Sequence, residues 1–184
     1  LIPRPESEIL IDIIKDRQYK KMLDIGTGTG CLGITAILEN LVDKVDAIDI
    51  SDKALKIAKK NKKILSADNI YFSNIDILNN VPSNQYDIII SNPPYISWDE
   101  YSNIDIEVKN YEPREALTDL DTGYTFYVRY ASILNELLND SGIAVFEISH
   151  YFCQSKLKNI FKAFSDVTFY KDLNGDNRAI RIKR

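Results

Sequence analysis

Strand-like and helix-like segments alternate along nearly the whole chain, and that alternation limits the folds open to it more than any other feature. Short apolar runs, Lys21 to Ile25, Lys44 to Ile50, Asn69 to Ile75 and Tyr86 to Ser91, read as strands. Segments with apolar residues at helical spacing accompany them. Glu6 to about Arg17 carries Ile9, Leu10, Ile13 and Ile14 on one side, Cys31 to Asn40 follows the first strand, and Ser51 or Asp52 caps a helix running to about Leu65. Strands joined through helices run parallel, so the pattern predicts a doubly wound α/β domain around a mainly parallel sheet. Further helices are expected over Gly123 to Asp140 and Tyr151 to Phe164, with a fifth strand from Gly142 to Ser149. Val167 to Lys171 and Arg178 to Lys183 follow each other with no helix between them, which predicts an antiparallel addition at the end. The polar stretch from Tyr95 to about Thr122 is far longer than an ordinary strand-to-helix connection and is expected to face a substrate.

At 184 residues, 45% hydrophobic, the chain can bury the core of one domain. It opens on Leu1 rather than Met and continues into a proline-punctuated segment, so it is expected to begin inside a longer protein. No apolar stretch reaches the roughly 18 to 20 residues that span a bilayer, and no secretory signal pattern is present, which predicts a cytoplasmic protein without membrane attachment. The net charge of −4 argues against a surface built to hold a nucleic-acid backbone. Lys53, Lys56, Lys59, Lys60, Lys62 and Lys63 accompany the helical pattern of Ala54, Leu55, Ile57, Ala58 and Ile64, and read as a solvated helix face. Cys31 and Cys153 are too few for a disulfide framework and lack metal-ligand neighbours, so no metal is expected and both read as buried or half-buried thiols. The single histidine, His150, excludes any mechanism that needs two imidazoles and reads as a strand-end residue.

The first strand runs into Asp24-Ile25-Gly26-Thr27-Gly28-Thr29-Gly30, where glycines permit a tight turn and a close approach of backbone to ligand. Gly28, Gly30 and Gly33 also fall at the dinucleotide spacing, and Asp49 with Ile50 lies about 20 residues on, placed to receive ribose hydroxyls. The turn and the acid together point to an adenosine-type ligand. Three features favour S-adenosylmethionine over a nicotinamide dinucleotide. Asp24 puts a carboxylate where a methionyl ammonium would lie, a poor neighbour for pyrophosphate. Asp76 with Ile77, after the third strand, is placed to meet an adenine amino group and ring. The third feature is the loop after the fourth strand, Asn92-Pro93-Pro94-Tyr95.

That loop belongs at the carboxyl edge of the sheet, where open α/β sheets hold ligands. A planar amino or amide nitrogen shares its lone pair with a π-system and attacks poorly. The Asn92 carbonyl and the Pro93 backbone carbonyl can each accept one N–H and aim the lone pair at a methyl donor. Pro93 and Pro94 stiffen the loop, and Tyr95 offers a flat face for stacking. The same loop would serve an adenine-N6 or guanine-N2 methyltransferase acting on a flipped base, and that alternative stays open on the tetrapeptide alone.

The whole chain resembles the protein-(glutamine-N5) methyltransferases that modify peptide chain release factors. The resemblance rests on Leu1-Ile2-Pro3-Arg4-Pro5-Glu6, Asp24 to Gly30, Asn92 to Tyr95, Tyr111-Glu112-Pro113-Arg114-Glu115-Ala116-Leu117 and Gly175-Asp176-Asn177-Arg178. It implies a class I S-adenosylmethionine-dependent methyltransferase fold (Rossmann-like) with a seven-stranded sheet. It also implies a substrate glutamine in a Gly-Gly-Gln loop of the release factor, and a helical N-terminal domain preceding this segment. Under it, Arg4 and Arg114 either contact the release factor or brace the long loop. Glu147-Ile148-Ser149 stands where the family usually carries Gly as the third residue, a change that bears on the local backbone.

Overall fold

A computed structural model describes residues 5–184. The chain opens with a 3-10 turn, Pro5–Ser7, continued by α1 (Glu8–Ile14). β1 (Tyr19–Ile25), α2 (Cys31–Leu38), β2 (Val42–Asp49), α3 (Asp52–Leu65), β3 (Ile70–Asn74) and β4 (Tyr86–Ser91) follow in the predicted alternation. Two short helices, α4 (Trp98–Tyr101) and α5 (Ile106–Tyr111), and a 3-10 turn, Arg114–Ala116, occupy the long connection. α6 (Thr125–Leu137), β5 (Leu138–Glu147), α7 (Gln154–Ile160), β6 (Asp166–Lys171) and β7 (Asn177–Lys183) complete the chain.

The seven strands form one sheet in the order β3-β2-β1-β4-β5-β7-β6. Every neighbouring pair is parallel except those made by β7, which runs antiparallel to both β5 and β6. The expected antiparallel addition is therefore the β6–β7 hairpin. The strand order reverses between β1 and β4, which leaves a crevice at their carboxyl ends.

Alternation of side chains across the pleat divides the core in two. Met22, Ile88, Ile90, Ile143 and Val145 point to the face covered by Leu10, Ile11 and Ile14 of α1 and Ile34 of α2. Leu23, Ile25, Ile89, Ala144 and Phe146 point to the other, under Tyr127, Tyr130 and Leu134 of α6 and Leu157 of α7. Both faces of the central strands are thus covered, which is why their sequences read as unbroken apolar runs.

The N-terminus of α3 carries the predicted cap, with the Ala54 N–H donating to Ser51 Oγ at 3.3 Å. Leu55 and Ala58 face inward, whereas Ile57 and Ile64, expected on the packed side, are 49% and 66% exposed. The boundary between α6 and β5 also differs from the sequence reading. The helix stops at Leu137 and the chain re-enters the sheet at once, Leu138 pairing with Tyr86 before the register shifts and resumes at Ile143. Leu138 is fully buried, and burying it against the sheet outweighs the continuing helical pattern. Likewise α7 covers only Gln154–Ile160 of the longer helix expected there. Both cysteines are exposed rather than buried. Ser149 is not among the positive-φ residues, so a serine is accommodated at that position without left-handed strain.

Candidate active site

The glycine turn hangs between β1 and β2. The N–H groups of Gly26 and Thr27 both donate to the Ile48 carbonyl, at 2.8 and 3.0 Å. Gly26 and Gly28 have φ of +68° and +56°, and an added Cβ at either would meet no atom within 4 Å. The turn therefore presents bare backbone to open space, a cradle that side chains would fill. Asp49 closes it from the end of β2. Its Oδ2 accepts from the Gly28 N–H at 2.7 Å and its Oδ1 from the Ser51 N–H at 2.8 Å.

Asp24 sits beneath the turn, 1% exposed. Its Oδ2 accepts from Thr27 Oγ1 at 2.6 Å and from the Gly33 N–H at 3.1 Å, so the carboxylate braces the turn to α2. Burial pushes its pKa up to about 6 against the pull of those two donors. Asp24 is not among the residues lining the cavity above the turn; neither is Gly30, whose φ of +84° turns the chain into α2.

That cavity has a volume of about 750 Å³ and lies over the carboxyl ends of β1, β2 and β4. Gly26, Thr27, Gly28 and Thr29 form one wall, Asp49 and Ile50 a second, and Asp76 and Ile77 a third. Ile50 is 59% exposed, an apolar surface that a planar ring can cover. The Asp76 carboxylate is held by the Leu78 N–H at 3.0 Å and the Asn79 amide at 2.6 Å, and Arg129 of α6 donates to the Ile77 carbonyl at 2.8 Å. Cys31 and Arg114 also line the cavity. Arg4 lies outside the described residues.

Asn92, Pro93 and Pro94 close the remaining side. A second cavity of about 340 Å³ lies behind them, lined by Tyr95, Ile104 and Val108 among others. Asn92, Pro93 and Ala116 line both, so the two cavities meet at the start of the loop. Gly123 fixes the far end of the tetrapeptide: its φ is +82°, and a Cβ there would lie 2.4 Å from the Tyr95 carbonyl oxygen.

Behind the loop lies a buried carboxylate that sequence reasoning missed. Glu147, at the end of β5, is 1% exposed. Its Oε2 accepts from Ser7 Oγ at 2.5 Å and its Oε1 from the Tyr95 hydroxyl at 3.0 Å, while its backbone carbonyl accepts from the Tyr127 hydroxyl at 2.7 Å. Ser7 Oγ in turn accepts from Asn92 Nδ2 at 2.9 Å. Burial raises the Glu147 pKa, opposed by the Ser7 and Tyr95 hydrogen bonds and by the nearby Arg178 guanidinium. Arg178 is itself held by Asp172, Nε to Oδ2 at 3.1 Å. The available signal was a lone acid ending the apolar run Ile143-Ala144-Val145-Phe146.

Tyr127 and Tyr130 are buried, and Tyr124 stacks on Phe152 with ring centroids 4.2 Å apart. His150 is exposed just beyond β5, against the Tyr151 ring. Among the described residues no three His, Cys, Asp or Glu side chains are grouped to hold a metal, and no helix is long and apolar enough to cross a membrane.

A family model described as the methyltransferase small domain matches residues 5–109. A release factor glutamine methyltransferase of Fusobacterium nucleatum is 37% identical over the full length of this chain, which spans 54% of that protein. One from Bacteroides thetaiotaomicron is 39% identical, again over the whole chain, which spans 68% of it. The solved structure of the N-methyltransferase NodS from Bradyrhizobium japonicum WM9, in complex with S-adenosyl-L-homocysteine, superposes with a TM-score of 0.64 at 15% identity. That superposition covers 100% of this chain and 90% of NodS, a likeness of fold. With the methyltransferase model matched over more than half its length and such relatives similar along all of it, the chain belongs to the release factor glutamine methyltransferase family.

Proposed function

We propose that this chain transfers the methyl group of S-adenosylmethionine to the side-chain amide nitrogen (N5) of the glutamine in the Gly-Gly-Gln loop of peptide chain release factors. The observation that carries the reading is the meeting of two cavities at Asn92 and Pro93. One cavity has the bare glycine turn and the Asp49 carboxylate of an adenosine-type site. The other, lined by Tyr95, Ile104 and Val108 together with Asn103 and Asp105, has room for a single inserted side chain.

The residues present fit the methyl donor. The backbone of Gly26 to Thr29 would hold its amino-acid end, Asp49 its ribose hydroxyls, Ile50 and Ile77 the faces of its adenine, and Asp76 the adenine amino group. Bound there, S-adenosylmethionine supplies a methyl group on a positively charged sulfur. The chain does the rest by placement. Asn92 Oδ1 and the Pro93 carbonyl each accept one N–H of the glutamine amide, which turns the nitrogen lone pair toward the larger cavity. Tyr95 covers the amide plane, and the half-buried loop excludes water from the reacting atoms. No strong general base is required, because the amide proton becomes acidic as the new N–C bond forms.

The acidic balance of the chain, a net charge of −4, supports a protein substrate over a nucleic acid. A cytoplasmic location goes with that substrate. The test is to incubate the protein with isotopically labelled S-adenosylmethionine and a panel of release factor, duplex DNA and ribosomal RNA, then to locate the label by mass spectrometry. Label on the glutamine of the Gly-Gly-Gln loop, absent with Asn92→Ala, is the expected result. Label confined to a base would overturn the reading in favour of a nucleic-acid amino-methyltransferase.

A further inference from the structure

We infer that Ser7 and Glu147 are positioning residues that set which way the Asn92 amide faces, so that its carbonyl and not its NH2 is offered to the substrate. The inference deepens the proposed glutamine methylation and rests on it. An asparagine amide is nearly symmetric in shape but opposite in polarity at its two ends, and only the Oδ1 end can accept an N–H from a substrate amide. Something must therefore break the symmetry. In this structure the break originates at a carboxylate. Glu147 spends one oxygen on Tyr95 and the other on Ser7, and an ionised carboxylate can only accept. The single hydroxyl proton of Ser7 is thereby committed to Glu147 at 2.5 Å, which leaves Ser7 Oγ only lone pairs to present to Asn92. Asn92 meets them with Nδ2 at 2.9 Å, and its Oδ1 is turned to the other side.

The direction of donation thus passes from Asn92 through Ser7 to Glu147, with Tyr95 anchored on the same carboxylate. Glu147 is 1% exposed, so its end of the relay is shielded from water, whereas Ser7, 9% exposed, also borders the larger cavity. The four groups come from the entry turn, the loop after β4 and the end of β5. They are brought together across 85 positions between Asn92 and Ser7 and 140 between Ser7 and Glu147. Arg178, at the start of β7, adds a positive charge that favours the ionised form of Glu147 on which the relay depends.

The test uses the whole chain, with Ser7→Ala and Ser7→Thr. In Ser7→Ala the amide is free to flip, and kcat is expected to fall by about tenfold, the equivalent of one hydrogen bond, with KM and cofactor affinity within about twofold. Ser7→Thr keeps the hydroxyl and is expected to restore kcat to within about threefold of wild type. In an Asn92→Ala background, Ser7→Ala should cost nothing further, because there is no amide left to orient. A purely structural role would instead lower thermal stability with equal loss in both backgrounds. A second readout needs no substrate. The Asn92 side-chain NH2 resonances, assigned by NMR, should exchange slowly with water in wild type and Ser7→Thr and fast in Ser7→Ala. Equal exchange in all three would overturn the positioning role whatever the substrate proves to be. A wild-type protein that fails to label glutamine while showing the expected exchange pattern would sink the functional reading alone.

Discussion

Replacing Gly123 by Ala tests how the Asn92 to Tyr95 loop is held in place, and the size of the effect follows from two separable contributions. At φ of +82° an L-residue carries a backbone penalty of about 1–2 kcal/mol. The new Cβ would in addition lie 2.4 Å from the Tyr95 carbonyl oxygen, which belongs to the backbone and cannot swing away. Relieving such an overlap costs about 1–3 kcal/mol, so the total is roughly 2–5 kcal/mol. For a domain of this size each kcal/mol corresponds to about 2–4 °C in Tm, which gives an expected fall of about 4–20 °C by thermal melting. Gly175 provides the control. Its φ is +88° with no atom within 4 Å of a Cβ, so Gly175→Ala carries the backbone penalty alone, about 2–8 °C. Because the Gly123 overlap falls on Tyr95 itself, Gly123→Ala should also lower kcat beyond what the lost stability explains. Equal melting shifts in the two variants, with unchanged turnover in Gly123→Ala, would refute the idea that this glycine pins the loop.

Two further predictions concern the site itself. Asn92→Ala should reduce turnover by several orders of magnitude while cofactor affinity, measured by calorimetry, stays within a few-fold; comparable losses of both would contradict the role assigned to its carbonyl. The buried Asp24 gives a pH signature. Its pKa is raised from 3.8 to about 6 by burial, so the fold favours the protonated form, and that contribution is full below the unfolded value and lost as pH rises through the folded one. The unfolding free energy of the wild type relative to Asp24→Asn should therefore grow by about 2 kcal/mol as pH is lowered from 7 to 4. A flat difference across that range in urea titrations would show that the carboxylate is not desolvated as the geometry implies.

Much of the architecture is legible in the sequence because it is written in local patterns. Apolar runs of strand length, helical spacing between them and the glycines after β1 act over a few residues, and they carry the parallel sheet and the glycine turn. Ser51 as a helix cap and Asn92 to Tyr95 as a loop at a strand end are legible for the same reason. The α6–β5 boundary was not, because Leu137 and Leu138 continue a helical pattern and only burial against Tyr86 decides that the second belongs to the sheet.

What the sequence by itself determined was the strands, the longer helices, the antiparallel ending and a proline-stiffened loop at the end of β4. Tertiary structure alone decided that Asp24 braces the turn from below instead of lining the cavity. It also decided that Gly123 must stay small beneath Tyr95, and that Ser7, Asn92, Tyr95 and Glu147 share one hydrogen-bonded chain. Periodicity and turn chemistry are properties of neighbours along the chain. The order of strands in the sheet is what brings Ser7 and Glu147, 140 positions apart, to 2.5 Å, and no local pattern encodes that meeting.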